Sequence, residues 1–251
     1  MLEGPAGFHL RLLEQDLIRE DLSERLLHGA QRLARSSEAR AGFSPRPEQI
    51  RAFESFADYL LDAATAPCAT PARFCRIILP PRTGKTVIAG HIIDRTGLTT
   101  TVVVPTRTLV RQTARLLRQM LPGVPVGSLS MDSHDVVEHG VNVLTYAMLV
   151  RCGAALPEPV ARSALIFVDE AHRAMTGPRM QVLRQGFAHG ALRIGLTATP
   201  DYDAERRLCH HFPDLIHEVS LGEALDLGLL APVRVWVAEV DGAGSRVRMV
   251  A

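Results

Sequence analysis

Between Phe74 and Leu196, short apolar runs alternate with stretches whose apolar residues recur at helical spacing. The runs Arg76–Leu79, Thr100–Val104, Val141–Leu144, Ala164–Val168 and Leu192–Leu196 are apolar on both faces, which predicts strands covered on both sides. Helices are predicted over Lys85–Arg95, Thr108–Met120, Tyr146–Arg151 and Pro178–Gln185. Strand and helix in alternation predict an α/β domain with a mostly parallel central sheet and helices on both faces. Ligands of such sheets bind beyond the carboxyl ends of the strands, so the residues following each run are where chemistry is expected.

Two further patterns flank this core. Leu10, Leu13 and Leu17, then Leu22, Leu26, Ala30 and Leu33, lie at helical spacing and predict a helical extension over residues 1–42 that packs on the main domain. Docking of a partner is the sharper alternative for the same stripe. Ser36, Ser37, Gly42, Pro45 and Pro47 break the pattern and mark a boundary. Downstream, a helix near Leu221–Asp226 and a strand near Val233–Val240 complete a domain set at 43–240, leaving 241–251 as a short tail.

With 47% hydrophobic and 22% charged residues the chain is globular, and 251 residues hold one large α/β domain rather than two motor domains. A net charge of +1 argues neither for nor against nucleic acid. Four cysteines without a CxxC pair predict reduced thiols and a cytoplasmic location. No signal peptide and no apolar run of membrane-span length is read, so no membrane partner is expected. Cys209-His210-His211 are chain neighbours whose side chains diverge on a helix, which favours a polar helix end over a metal site.

The first strand runs into Leu79-Pro80-Pro81-Arg82-Thr83-Gly84-Lys85-Thr86 and then an apolar helix. A strand, tight loop and helix N-terminus present unpaired amides and the positive end of the helix dipole to phosphate. In such a loop Lys85 reaches the outer phosphates, Thr86 ligates Mg²⁺ and Gly84 permits close backbone approach, with Arg82 and Thr83 completing the cradle. The strict GxxxxGK[ST] pattern fails, because Leu79 occupies the first glycine position and Arg82 is bulky.

A second site residue pair follows the run Ala164–Val168. Asp169 at the end of a buried strand suits a magnesium site, reached through water, while Glu170 suits orienting and deprotonating an attacking water. A surface acidic turn accounts for the charges but not for the five apolar residues before them.

Pro47-Glu48-Gln49, the loop ending Gly84-Lys85-Thr86, Val104-Pro105-Thr106-Arg107-Thr108-Leu109, Asp169-Glu170-Ala171-His172 and Thr197-Ala198-Thr199-Pro200 stand in the order found in superfamily 2 helicases. Over roughly residues 44–235 the chain resembles the first RecA-like, ATP-binding domain of a DEAD/DEAH-box protein, in the restriction-enzyme and excision-repair branch. The resemblance implies ATP and Mg²⁺ as cofactors and an ATP hydrolase of helicase type. It implies that Gln49 reads the adenine edge, although an exposed helix-start residue fits equally. Pro105, Thr106 and Arg107 match the family's first nucleic-acid motif, and Thr145 resembles a second backbone contact, although Tyr146 beside it also fits as a buried tyrosine at a helix start. His172, Thr197 and Thr199 resemble the elements that couple nucleotide state to domain movement.

In that family a second RecA-like domain supplies an arginine finger worth about 10³ to 10⁵ in turnover, and nothing after Val240 reads as such a domain. The sequence therefore predicts the ATP-binding half of a nucleic-acid-dependent motor, with DNA favoured over RNA and a second domain, possibly on another chain, as partner. A truncated product, a split motor and a retained remnant all fit. A non-catalytic nucleic-acid-binding or adaptor remnant is the competing reading, and a small-molecule P-loop kinase ranks third because Thr197-Ala198-Thr199-Pro200 has no use there.

Overall fold

The computed structural model describes residues 22–33, 45–65, 73–81, 83–199, 207–231, 237–240 and 247–250. They fall into two compact units, one reaching to Val219 and one beginning at Ser220.

The first unit is built on an eight-stranded sheet. Its strands are β1 (Arg73–Ile78), β2 (Thr100–Val104), β3 (Val126–Ser130), β4 (Ser133–Asp135), β5 (Val141–Thr145), β6 (Leu165–Asp169), β7 (Leu192–Thr197) and β8 (Asp214–Glu218). They lie in the order β4-β3-β5-β2-β6-β7-β1-β8, every pairing being parallel except that of β3 with β4. The parallel crossovers pass through α3 (Lys85–Thr96), α4 (Arg107–Met120), α5 (Tyr146–Cys152), the short α6 (Glu158–Ala161) and α7 (Gly177–Gln185). Upstream lie α1 (residues 22–33) and α2 (Pro47–Thr65).

The central strands are apolar because both faces are covered. Leu165, Ile166, Phe167 and Val168 of β6 are fully buried, and each such side chain contributes about 1.5–3 kcal/mol when removed from water. Buried polar groups there are paired: the Thr101 and Ser163 hydroxyls lie 2.7 Å apart, and the Thr100 hydroxyl donates to the Leu98 carbonyl at 2.9 Å.

Arg193, on central strand β7, is entirely buried. Its guanidinium donates to the backbone carbonyls of Leu183 at 3.0 Å, Ala188 at 3.4 Å and Ala191, between the rings of Phe74 and Phe187. Burial lowers its pKa to about 10, still high enough to keep it charged. It thereby satisfies the Leu183 carbonyl in the last turn of α7 and ties the following segment to it.

Leu22, Leu26, Ala30 and Leu33 of α1 are buried, as a packing stripe requires, and Arg25 donates to the Thr99 hydroxyl at 2.7 Å just before β2. Leu10, Leu13 and Leu17 lie outside the described residues. The five predicted strands and four predicted helices are all present with ends shifted by at most a few residues. In this unit α2, the four-residue α6, β3, β4 and β8 went unread. Helix α2 buries Ala52, Phe53, Phe56 and Leu60 at helical spacing that was available in the sequence. Strands β3, β4 and β8 lack an apolar run, because Gly127 and serines dilute β3, β4 has three polar residues, and β8 lies at an edge with Asp214 and Glu218 exposed.

In the second unit, α8 (Leu221–Asp226) matches its predicted span and is capped by Ser220, whose hydroxyl accepts from the Glu223 amide at 3.1 Å. Strand β9 (Val237–Val240) pairs antiparallel with β10 (Val247–Val250), inside the segment read as a tail. The residues 233–236 of the predicted strand lie outside the described residues.

Candidate active site

Sheet register brings three chain-distant segments to one carboxyl edge. Ile78 of β1 is the partner of Thr197 in β7, and Leu196 is the partner of Asp169 in β6. The loop after β1, the acidic pair after β6 and the threonines after β7 therefore emerge side by side. The next two strands along that edge are β2 and β5, with Val104 opposite Thr145. Pro105, Thr106 and Arg107 thus emerge beside Thr145, forming a second patch next to the first.

The phosphate-type loop is held by its own chain. Leu79 still belongs to the sheet: its amide donates to the Thr197 carbonyl at 2.9 Å and its side chain is fully buried, so the loop proper begins at Pro80. The Thr83 hydroxyl, also buried, donates to the Pro80 carbonyl at 2.7 Å and closes the turn. Gly84 caps α3 with φ 87° and ψ 40°, in the left-handed region, and a Cβ there would stand 2.8 Å from Gln49 Nε2. The cap bond from the Ile88 amide to the Gly84 carbonyl, 3.0 Å, leaves the amides of Lys85, Thr86 and Val87 ahead of the helical ladder. No acidic residue occupies that first turn, and Lys85 and Thr86 are half-buried there. Arg82 lies outside the described residues.

Gln49 is buried, so its exposed alternative fails. Its Oε1 accepts from the Arg46 amide at 3.0 Å, a capping-box bond across the first turn of α2, while Nε2 donates to the Thr83 carbonyl at 3.0 Å. One amide thus ties the start of α2 to the loop. An amide has two donors and two acceptor sites, so one of each remains for a ligand edge.

The acidic pair is crowded and strained. Burial raises the Asp169 pKa above its ordinary 3.8, the Glu170 carboxylate raises it further, and the Lys85 ammonium opposes both. Two carboxylates with one nearby ammonium are short of positive charge, which fits a divalent cation beside Asp169 and Thr86. Glu170 has φ 51°, the sole positive φ outside glycine among the described residues. Such a conformation costs about 1–3 kcal/mol and is retained where the surroundings over-determine it. Here the Glu170 carbonyl accepts from the Arg173 amide at 2.8 Å, and the Asp169 carbonyl accepts from the Tyr146 phenol at 2.8 Å.

His172 joins all the predicted coupling residues. Its Nδ1 lies 3.0 Å from the Thr197 hydroxyl, 3.2 Å from the Thr199 hydroxyl and 3.6 Å from Glu170 Oε2. The Thr197 hydroxyl also accepts from the Thr199 amide at 3.1 Å, which folds the chain back after β7. This approach needs Gly195, because a Cβ there would meet the Ala171 Cβ at 3.0 Å and push the His172 turn off the sheet.

In the neighbouring patch Thr106 caps α4, its hydroxyl accepting from the Leu109 amide at 3.3 Å, and Thr106 and Arg107 are exposed. Thr145 is buried and caps α5, accepting from the Met148 amide at 3.1 Å, and Tyr146 is a buried tyrosine at a helix start. The sequence reading missed what the Tyr146 hydroxyl touches, and it missed Arg179, whose guanidinium stacks 5.0 Å from the Tyr146 ring and donates to the Arg173 carbonyl at 2.5 Å. A polar-tipped aromatic directly after an apolar strand was the available signal for the first; Arg179 gave none.

The family model for the type III restriction enzyme res subunit matches residues 42–202. The DNA 3'-5' translocase XPB2 of Sulfurisphaera tokodaii is 31% identical over 130 residues, 51% of this chain and 27% of that protein, so the chain spans about a quarter of that relative. Among solved structures, a nuclease-deletion mutant of the Type ISP restriction-modification enzyme LlaGI, in complex with a DNA substrate mimic, aligns with TM-score 0.55 and 18% identity, covering 74% of this chain and 21% of that one. The UvsW helicase of bacteriophage T4 aligns with TM-score 0.55 and 16% identity, covering 75% and 66%. At those identities the two structures speak to the fold alone, a RecA-like α/β domain. Among the described residues no helix is long and apolar enough to cross a membrane. With its motifs in order along one sheet edge and the greater part of its length matched, the chain belongs to the family of the type III restriction enzyme res subunit.

Proposed function

We propose that this chain is the ATP-binding half of a DNA-dependent ATPase of the helicase or translocase type. The observation that carries it is the convergence of Gly84-Lys85-Thr86, Asp169-Glu170 and Thr197-Thr199 through the register of β1, β7 and β6. Residues 43–240 are assigned to the RecA-like domain, with 1–42 as its helical extension.

Lys85 and the first-turn amides of α3 bind the phosphates of ATP, with Arg82 and Thr83 assigned to the same phosphate-binding segment. Gln49 contributes its remaining donor and acceptor to the adenine edge. Thr86 and Asp169 hold Mg²⁺, which when bound neutralises charge on the phosphates. Glu170, fixed by its strained backbone, orients a water and accepts its proton. His172 links Glu170 to Thr197 and Thr199, so a change at the phosphate end reaches the segment after β7 as an exchange of hydrogen bonds. Pro105, Thr106, Arg107 and Thr145 hold a nucleic-acid backbone without reading its sequence.

DNA is assigned because XPB2 is named a DNA translocase and LlaGI was solved with a DNA substrate mimic. A second RecA-like domain facing this edge, on the same chain or another, supplies the arginine finger for efficient turnover. The free thiols of Cys75, Cys152 and Cys209 agree with a cytoplasmic location.

Equilibrium titration with a fluorescent ATP analogue and Mg²⁺ tests the central assignment. Lys85→Ala should abolish binding; Glu170→Gln should retain it and lower hydrolysis by about 10² to 10⁴ once a second domain is supplied. Unchanged nucleotide affinity in Lys85→Ala would sink the assignment, and DNA binding without any ATP affinity would favour the non-catalytic adaptor.

A further inference from the structure

Helix α4 carries Arg107, Arg111, Arg115 and Arg118 and no acidic residue. At 100° per residue these four fall within a sector of about 80°, while Val110, Ala114 and Leu117 occupy the buried side. All four arginines are exposed. Arg118 is turned onto β3, donating to the Val126 carbonyl at 2.6 Å. Arg107 and Arg111 converge instead on one carboxylate, Asp132 in the β3–β4 turn, at 3.1 Å and 3.4 Å. The side chains remain 59%, 75% and 46% exposed respectively. Such pairs are weak and screened by salt, so the carboxylate orients the two guanidiniums without committing them.

We propose that Arg111 and Arg115 form a second phosphate track, which begins where Arg107 closes the nucleic-acid patch and takes the other strand of a DNA duplex, with Asp132 holding its entrance until phosphate displaces it. The inference rests on the DNA-dependent reading above. Helix α4 begins at the carboxyl edge and, following β2, runs back toward the amino edge. A strand lying along the carboxyl edge over Thr106 and Thr145 therefore does not pass Arg115. Eight residues from Arg107 to Arg115 span about 12 Å along the helix, comparable to the width of the major groove that separates the two backbones. A phosphate oxygen pair offers the guanidinium fork the same planar acceptor geometry as the Asp132 carboxylate, with stronger charge assistance.

The test compares a short blunt duplex with a single strand of equal length by fluorescence anisotropy between about 50 and 200 mM salt. Wild type, Arg111→Gln/Arg115→Gln, Asp132→Asn and Thr106→Ala are measured, with melting by circular dichroism to show that each is folded. The double variant should lose roughly fivefold or more in duplex affinity, and the slope of log affinity against log salt should shrink by about 1–2, with the single strand little affected. Asp132→Asn should bind duplex more tightly than wild type. Duplex affinity and slope unchanged in the double variant, or an equal loss on the single strand, would overturn the track. If Thr106→Ala alone weakens binding, the track falls and the DNA-dependent reading stands; if wild type binds neither nucleic acid, both fall.

Discussion

The phenol of Tyr146 donates a 2.8 Å hydrogen bond to the backbone carbonyl of Asp169, on the peptide that leads into the strained Glu170. Tyr146 follows Thr145 at the end of β5, so one hydroxyl spans from the proposed nucleic-acid patch to the acidic turn. Burial drives the phenol's pKa far up, and it remains a donor throughout the working pH range. Tyr146→Phe should cost about 1–2 kcal/mol of stability by leaving that carbonyl unpaired. It should also slow hydrolysis with nucleotide affinity retained, because the loop after β1 is untouched. Thermal melts and single-turnover rates check this, and a loss of affinity with an unchanged rate would contradict it.

Gly84 is required twice over, by its φ of 87° and by the 2.8 Å approach of Gln49 Nε2 to the position of a Cβ. Gly84→Ala should therefore destabilise by more than 1 kcal/mol and weaken nucleotide binding. In Gln49→Ala the steric conflict is removed but the left-handed strain remains. Because Gln49→Ala also removes the bond to the Thr83 carbonyl and the side chain assigned to the adenine edge, the double variant should bind nucleotide no better than Gly84→Ala, as titration of both proteins would show.

Burial depresses the pKa of His172 below the ordinary imidazole value of 6.5, with Glu170 opposing and Arg173 and Lys85 reinforcing the shift. The unfolded chain then takes up this proton first, so His172 costs stability progressively as pH falls through 6.5 toward its folded pKa, and costs nothing above that window. An NMR titration should place its midpoint under 6.5. Glu170→Gln removes that opposing charge and should move it lower still; a higher midpoint would show that the 3.6 Å pair does not hold in solution.

Arg193→Met keeps the volume of the side chain but leaves the carbonyls of Leu183, Ala188 and Ala191 without their donor. The expected cost is on the order of 3 kcal/mol, measured by denaturant melts. A near-neutral result would mean that water replaces the guanidinium.

Much of the site was legible because its chemistry is local. Asp169 and Glu170 follow an apolar run directly, Lys85 and Thr86 follow one across the short loop 80–84, and a buried strand must deliver the residues after it to the sheet edge. Gln49 was legible only through resemblance. Its contact with Thr83 crosses 34 positions of chain, and no spacing rule reports such a distance. Whole-chain charge concealed the arginine sector of α4, since the acids that balance it lie elsewhere.

The sequence by itself determined the alternation of covered strands and helices, and with it the α/β class, because the period of the apolar pattern sets the element. It also determined which residues could carry phosphate and proton chemistry. Only the tertiary structure decided which of them meet. Strand order places β7 between β1 and β6, and that order arises from long-range packing. It is why His172 reaches Thr197 and Thr199, why the patches proposed for nucleotide and nucleic acid lie side by side, and why a tyrosine readable as core holds the acidic turn.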